Sequence, residues 1–310
     1  MKTISAGGAS AMALVLCAIL CAAATAADPG PAGPVATDDT TAPSAESQSA
    51  VDRRLAEEEA AKHRRFAVSL HKPNYILPIA WNRNPNEQFE SLDPVEIKFQ
   101  ISFKMELEDD LFGTGGKLSF GYTQQSWWQA YNSDISSPFR ETNYEPELML
   151  GFVRPRVGDG LRNRGIVFGF VHQSNGGAQL RSRSWNRLYA NFILEYGDFY
   201  FSLKPWYRIP EDEKSDPLDP SGDDNPDILD YMGYGEITAL WVLGEHRLGL
   251  MLRNNLESDN KGAVQLDWSF PIRGRAQGYV QYFNGYGESL IDYNHSVNRL
   301  GIGVMLNNWL

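Results

Sequence analysis

From Val95 to Leu107 the chain alternates without exception, with Val95, Ile97, Phe99, Ile101, Phe103, Met105 and Leu107 set against Glu96, Lys98, Gln100, Ser102, Lys104 and Glu106. Period-two alternation puts the two sets on opposite faces of a β-strand. One face is then wholly apolar and the other charged, over a length that crosses a bilayer when tilted. An apolar outer face with a polar inner one is the pattern of an outer-membrane barrel. Lipid offers no partner to an unpaired backbone N–H or C=O, so such a strand needs a closed sheet around it.

The pattern recurs. Phe199, Phe201, Leu203 and Tyr207 stand against Tyr200, Ser202, Lys204 and Arg208, and Leu300, Ile302, Val304 and Leu306 repeat it near the C-terminus. Twelve strands are expected, near 71–81, 95–107, 117–130, 142–153, 163–174, 184–196, 198–208, 229–243, 245–256, 262–270, 275–286 and 297–307. An even count returns the chain to its starting side, so the predicted fold is all-β, a 12-stranded antiparallel transmembrane β-barrel. Tyr196-Gly197 and Gly244 read as tight periplasmic turns, which puts 131–141, 175–183, 209–228 and 287–296 at the outer end. The loop 209–228 holds eight Asp or Glu residues and four prolines. It has no ordered ligand spacing of the EF-hand kind and reads as solvated.

Residues 1–26 form a secretory signal peptide, with Lys2, an apolar run from Ala11 to Ala24 and the small residues Ala24-Thr25-Ala26 before the cleavage point. Cys17 and Cys21, the only two cysteines, fall inside it, so the mature chain has no disulfide framework. No later stretch is apolar enough for a spanning helix. Residues 27–70 read as a disordered, charged periplasmic extension; 27–50 is mostly Pro, Ala, Asp, Ser and Thr. Within 51–66, Glu57-Glu58-Glu59 and Lys62-His63-Arg64-Arg65 suit the two ends of a short solvated helix. Residues 71–310 are the barrel domain. The formal charge of −11 argues against nucleic acid as a partner and leaves cation binding open.

The candidate chemistry lies in one predicted hairpin, at Phe170-Val171-His172-Gln173-Ser174-Asn175-Gly176 and Ser182-Arg183-Ser184-Trp185-Asn186-Arg187. Positions i and i+2 of a strand share a side, about 6.5 to 7 Å apart, so the His172 imidazole can reach the Ser174 hydroxyl. The return strand brings Asn186 beside His172. Leu188, Ala190, Phe192 and Leu194 share the face of Asn186, which places that amide toward lipid. Strand 163–174 is less decisive, since Ile166, Phe168 and Phe170 share the face of His172 but Val167 and Val171 are apolar too. Polar groups on a lipid wall need partners, or a headgroup-level position where the penalty is small. His172 as base, Ser174 as nucleophile and Asn186 as holder of the tautomer make an acyl-hydrolase site. Backbone amides near Asn175-Gly176-Gly177 are candidates for the oxyanion hole. The neutral third member lacks the charge that would stabilise imidazolium, which a nearby cation could offset. A non-enzymatic pore or adhesin is the competing class. A soluble serine esterase is excluded because no Gly-x-Ser-x-Gly is present.

At these residues the chain closely resembles the outer-membrane phospholipase A family, calcium-dependent barrel enzymes of Gram-negative envelopes. The likeness extends to Ser136-Ser137-Pro138-Phe139-Arg140-Glu141-Thr142-Asn143-Tyr144-Glu145-Pro146, to Asp223-Asp224-Asn225-Pro226-Asp227 and to Gly285-Tyr286-Gly287-Glu288-Ser289-Leu290-Ile291-Asp292-Tyr293-Asn294. It covers about 71–310, with no claimed match over 27–70. The resemblance implies an outer-membrane enzyme that cleaves acyl esters of glycerophospholipids and lysophospholipids, with A1, A2 and lysophospholipase activity. Its site would face the outer leaflet and use His172, Ser174 and Asn186, with the Gly176 amide in the oxyanion hole. It further implies activation by homodimerisation, with Ca²⁺ held by the Gly177 carbonyl, the Ser182 hydroxyl and Ser136 of the partner subunit. Gln124, in Tyr122-Thr123-Gln124-Gln125-Ser126-Trp127-Trp128, would be the polar contact of the dimer interface. Two departures stand out: Gly177 replaces an arginine of the enterobacterial form, and the chain ends in Trp309-Leu310 where a terminal phenylalanine is usual.

Overall fold

The computed structural model describes residues 49–62, 68–88, 91–155, 160–219, 221–272 and 276–307. Residues 49–255 and 260–310 form one compact unit, within which everything below lies. The signal peptide, residues 27–48 and 63–67 of the extension, and Trp309-Leu310 fall outside the described residues.

Helix α1 (Ala50–Lys62) precedes the strands β1 (Val68–Leu70), β2 (Asn74–Asn82), β3 (Val95–Glu108), β4 (Lys117–Trp128), β5 (Phe139–Val153), β6 (Arg162–Ser174) and β7 (Ser184–Tyr196). After β8 (Phe199–Ile209) comes a short helix, α2 (Ile228–Met232), then β9 (Gly235–Leu243), β10 (His246–Asn254), β11 (Gly262–Pro271), β12 (Gln277–Gly285) and β13 (Val297–Asn307). From β2 onward each strand pairs antiparallel with the next, and β13 pairs back to β2, which closes a barrel of the twelve strands β2 to β13. The short β1 pairs with β3 beyond the end of β2, extending the same wall strand past a break at residues 71–73. No helix among the described residues is long and apolar enough to cross a membrane.

The alternation of β3 resolves as expected. Ile101 is 51% exposed on the outer wall while Glu96 and Lys98 are 1% exposed inside. The interior is filled by charge. Arg140 donates to both Glu96 and Asp292, Arg299 donates to Glu288 and forms an ion pair with Glu96, and Lys98 donates to Glu288. Glu288 and Asp292 belong to the loop between β12 and β13, so buried cations on the wall draw this loop into the outer end, where Leu290 and Ile291 are also buried. A cavity of about 440 Å³ remains toward the short-turn end, lined by Leu55, Met149, Tyr189 and Lys204 among others.

Two expectations need correction. The strand expected over 229–243 begins only at Gly235. Ile228 and Met232, four apart, bury together in an apolar cluster with Trp185 and Trp206, a helical spacing that wins over alternation. Gly233 then ends the turn at φ 64°, where a side chain would meet the Asn254 carbonyl at 2.2 Å. Second, the helix over 50–62 is present but not solvated along its length. Its Ala50 amide donates to the Tyr200 hydroxyl at 2.9 Å, and Arg164 bridges Asp52 and Glu195. A buried guanidinium requires carboxylate partners, and the extension supplies one.

Burial alone would raise the Glu288 carboxyl, but the Arg299 and Lys98 cations outweigh it and hold it down at about 2. A carboxylate depressed in the folded state contributes stability that is present above its unfolded value and lost as pH falls through the folded one. Glu288→Ala should therefore destabilise the barrel by roughly 3 to 5 kcal/mol by leaving buried cations under-neutralised. Thermal unfolding followed by heat-modifiable gel migration checks this. Wild type should lose its advantage over the variant as pH falls from 4.5 toward 2; equal melting temperatures at neutral pH would contradict the assignment.

Candidate active site

The register of the β6–β7 hairpin builds the site. His172 pairs directly with Asn186, and Ser174 with Ser184. Between them, Gln173 pairs with Trp185 on the opposite face. Trp185 is fully buried inside the barrel, donates to Gln173 Oε1 at 2.7 Å, and lies 3.9 Å under the Arg187 guanidinium and edge-on to Trp206. A slip of one residue would turn this cluster out to lipid, so its packing fixes which side chains face outward. The ambiguity at Val167 and Val171 resolves the same way. Phe170 is 41% exposed on the wall while Val171 is 1% exposed in the interior cluster. His172, Ser174 and Asn186 therefore share the outer face, and neither the 440 Å³ cavity nor a second one of about 230 Å³ is lined by them.

The imidazole Nδ1 of His172 lies 2.9 Å from Asn186 Oδ1. Ser174 stands two residues along the same strand face. On the other side of β6, Pro146 occupies the ladder position facing His172, and the pairing is interrupted between Tyr144–Ser174 and Glu147–Val171. A proline has no N–H to give to a ladder.

Asn175 organises the loop that follows. Its side-chain oxygen accepts from the Gly177 and Arg183 amides, and its NH₂ donates to the Arg181 carbonyl and to Glu141. Gly176 takes φ 62°, a conformation that favours glycine, and among the described residues nothing accepts from its amide. At Gly177 a Cβ would come within 2.6 Å of the Arg181 carbonyl oxygen, so this chain needs glycine there.

The remaining expected residues are distributed as follows. Ser182 lies at the end of the loop, its hydroxyl donating to Asp224 Oδ2 at 2.6 Å, while Lys214 pairs with the other oxygen of Asp224 at 2.5 Å. Hydroxyl, carboxylate and a neighbouring backbone carbonyl are hard oxygen donors of the type Ca²⁺ takes, and the lysine marks a place where positive charge is already favoured. Ser136, at φ 62° in the β4–β5 loop, is not joined to that group by any hydrogen bond within this subunit. Gln124 points outward from β4 on the same rung as Tyr144 and Ser174, through Gln124–Tyr144 and Tyr144–Ser174 pairing, which puts it roughly 10 Å from Ser174 across two strand spacings. Its amide is held between Tyr122 Oη and Ser126 Oγ. Sequence reasoning passed over three contributors: Asn175 as loop organiser, Asp224 beside Ser182, and Glu211, whose Oε1 accepts from Asn186 Nδ2 at 3.1 Å. Both acids lie in the loop read as solvated; Asp224 falls in the Asp223–Asp227 stretch that carries the family likeness, whereas nothing local marks out Glu211.

Comparison with known proteins matches residues 51–306 to the phospholipase A1 family model. The match thus begins within the helix, whereas the resemblance seen in sequence was confined to about 71–310. Among relatives, phospholipase A1 of Escherichia coli K12 is 43% identical over 249 residues, 78% of this chain and 82% of that one. Phospholipase A1 of Klebsiella pneumoniae is 40% identical over 250 residues, 78% of this chain and 83% of that one. The solved outer membrane phospholipase A from Escherichia coli superposes with a TM-score of 0.72 at 38% identity, covering 79% of this chain and all of the other. The Salmonella typhi outer membrane phospholipase dimer with bound calcium gives the same TM-score and identity over 80% of this chain and 95% of that one.

Asn175→Ala removes the bonds that hold the 175–183 loop and should speed tryptic cleavage after Arg181 or Arg183 severalfold while the barrel still resists heat-free denaturation on gels. Unchanged cleavage would show that the loop is held by something else.

Proposed function

Because the chain belongs to the phospholipase A1 family and is an outer-membrane β-barrel hydrolase, we propose that it cleaves acyl esters of glycerophospholipids and lysophospholipids, at both sn-1 and sn-2 positions, with Ser174, His172 and Asn186 on its lipid-facing wall. The observation that carries this reading is the outward-facing His172–Asn186 pair at 2.9 Å with a hydroxyl two residues along the same face. A substrate that already lies in the membrane meets that face without entering the barrel. The pore alternative has the packed interior of Glu96, Lys98, Arg140 and Arg299 against it.

In this mechanism His172 Nε2 takes the Ser174 proton as Oγ attacks the ester carbonyl carbon. The resulting oxyanion receives the Gly176 N–H, which belongs to a glycine at φ 62° and has no acceptor among the described residues. His172 then returns the proton to the departing glycerol oxygen, leaving an acyl-serine. Water, deprotonated by His172 in turn, attacks the acyl carbon, and Ser174 leaves with its proton restored. Asn186 accepts from His172 Nδ1–H throughout, which keeps Nε2 as the base. The position near the loops read as outer supports a reaction at the outer leaflet, where water and ester meet.

The Gly177 carbonyl and the Ser182 hydroxyl, with Ser136 of the partner subunit, would hold Ca²⁺; Asp224 beside Ser182 supports a cation there. When bound, the ion supplies positive charge near the oxyanion loop. So few ligands within one subunit favour completion by a second copy, and Gln124 on the Ser174 side of the wall suits a homodimer contact. Residues 27–70 are assigned to a periplasmic extension, after removal of 1–26, with 71–310 as the enzyme domain.

Ser174→Ala should abolish ester release with heat-modifiable migration intact, because a rim hydroxyl contributes little to stability. Asn186→Ala should reduce turnover less than His172→Ala at saturating Ca²⁺. Full activity in folded Ser174→Ala protein would eliminate the mechanism. Hydrolysis should also rise with protein concentration in detergent micelles and stop in EDTA, with crosslinked dimer lost in parallel and Ser136→Ala weakening the Ca²⁺ response. A monomer that turns over at full rate in EDTA would refute both the metal and the dimer.

A further inference from the structure

Glu211 lies two residues beyond the end of β8, whose last residue, Ile209, pairs with Asn186. Its carboxylate reaches back over that rung to the Asn186 amide at 3.1 Å, on the side away from His172. We propose that Glu211 is a positioning residue of the hydrolytic site: it fixes the Asn186 amide, through it the His172 tautomer, and gives the imidazolium the negative charge that an amide alone cannot. The proposal rests on the Ser174–His172–Asn186 reading above.

The argument follows from which atoms can donate. An ionised carboxylate has no hydrogen to give, so it can bond only the NH₂ of Asn186. That leaves Oδ1 toward His172, and a carbonyl oxygen likewise only accepts. Nδ1 must then carry the hydrogen, and Nε2 keeps the lone pair that takes the serine proton. Reversing the amide would offer NH₂ to Nδ1, favour the proton on Nε2 and remove the base. Without a carboxylate, the two amide orientations are separated only by what solvent and lipid headgroups offer. Charge works in the same direction. Each time His172 takes a proton, a fixed anion one amide away lowers the energy of the imidazolium, and beside lipid such a charge is weakly screened. The titratable side chains nearest this rung on the outer face, Tyr144 on β5 and Tyr207 on β8, are phenols and bring no carboxylate, and Tyr122 on β4 and Tyr196 at the far end of β7 are phenols too. Asp212 and Glu213 follow Glu211 in the same loop and are exposed.

The test uses the full-length, calcium-saturated enzyme on mixed phospholipid micelles. Glu211→Gln and Glu211→Ala should each lower kcat roughly tenfold, the effect of losing one hydrogen-bond-sized contribution to the barrier, with KM unchanged. With less stabilisation of imidazolium, the acid limb of the kcat profile should move to lower pH. Glu213→Gln, which removes the same charge from the same loop, should leave both kcat and the limb in place, and half-saturating Ca²⁺ should be equal in all variants. In an Asn186→Ala background, Glu211→Ala should cost clearly less than it does in wild type, since the hydrogen-bonded route to His172 is gone and only the through-space charge remains. An equal loss with and without the Asn186 amide, or an acid limb that does not move, would overturn the proposal. If Ser174→Ala and Asn186→Ala themselves kept wild-type turnover, the catalytic reading would fail first. Loss of activity in those two with a silent Glu211→Ala would remove Glu211 alone.

Discussion

Everything in this molecule depends on one constraint: in lipid, a backbone amide without a partner has nowhere to find one. Closure of β13 onto β2 meets it, and closure in turn dictates an inside and an outside. The outside must be apolar, so the charges of alternating strands are driven together within, where a charge left without a partner is costly. Lys98, Arg140 and Arg299 answer this by recruiting Glu288 and Asp292 from an outer loop, and Arg164 by recruiting Asp52 from the helix before the barrel. Both ends are thereby occupied by the chain itself. The cavities that remain inside are not lined by His172, Ser174 or Asn186, which lie on the wall.

On the wall, precision comes from behind. His172 and Asn186 meet because Gln173 and Trp185, one residue away on each strand, are locked into the interior with Arg187 and Trp206. The loop beyond is shaped by Asn175, whose hydrogen bonds set the conformations of Gly176 and Gly177. The polar groups of the proposed site are thus held on an apolar surface by rigid elements, an arrangement that suits a substrate already dissolved in the surrounding phase.

Much of this was legible in the sequence because period two is a strict code. The β3 alternation gave its faces residue by residue, and the parity of β7 placed Asn186 outward, whereas β6 stayed ambiguous until the burial of Val171 was seen. The code failed where alternation competed with other packing: Ile228 to Met232 contains enough apolar residues for a strand, yet its i, i+4 pair buries as a helical turn. It was silent wherever a partner is distant in the chain. Nothing local distinguishes Asp52 from its acidic neighbours until Arg164 is seen beside it, or Glu211 from Asp212 and Glu213 until the Asn186 amide is. Long-range ion pairs and loop contacts depend on closure, which a one-dimensional pattern implies but does not detail.

The central claim is that Ser174, on the lipid wall, is an activated nucleophile. Treating the calcium-loaded protein in micelles with a long-chain alkyl phosphonate ester and mapping the adduct by peptide mass spectrometry tests it directly. The account requires one covalent phosphonyl group per chain, on Ser174, formed in wild type and absent in folded His172→Ala protein. A label spread over several serines, or equal labelling of Ser174 when His172 is replaced, would contradict it.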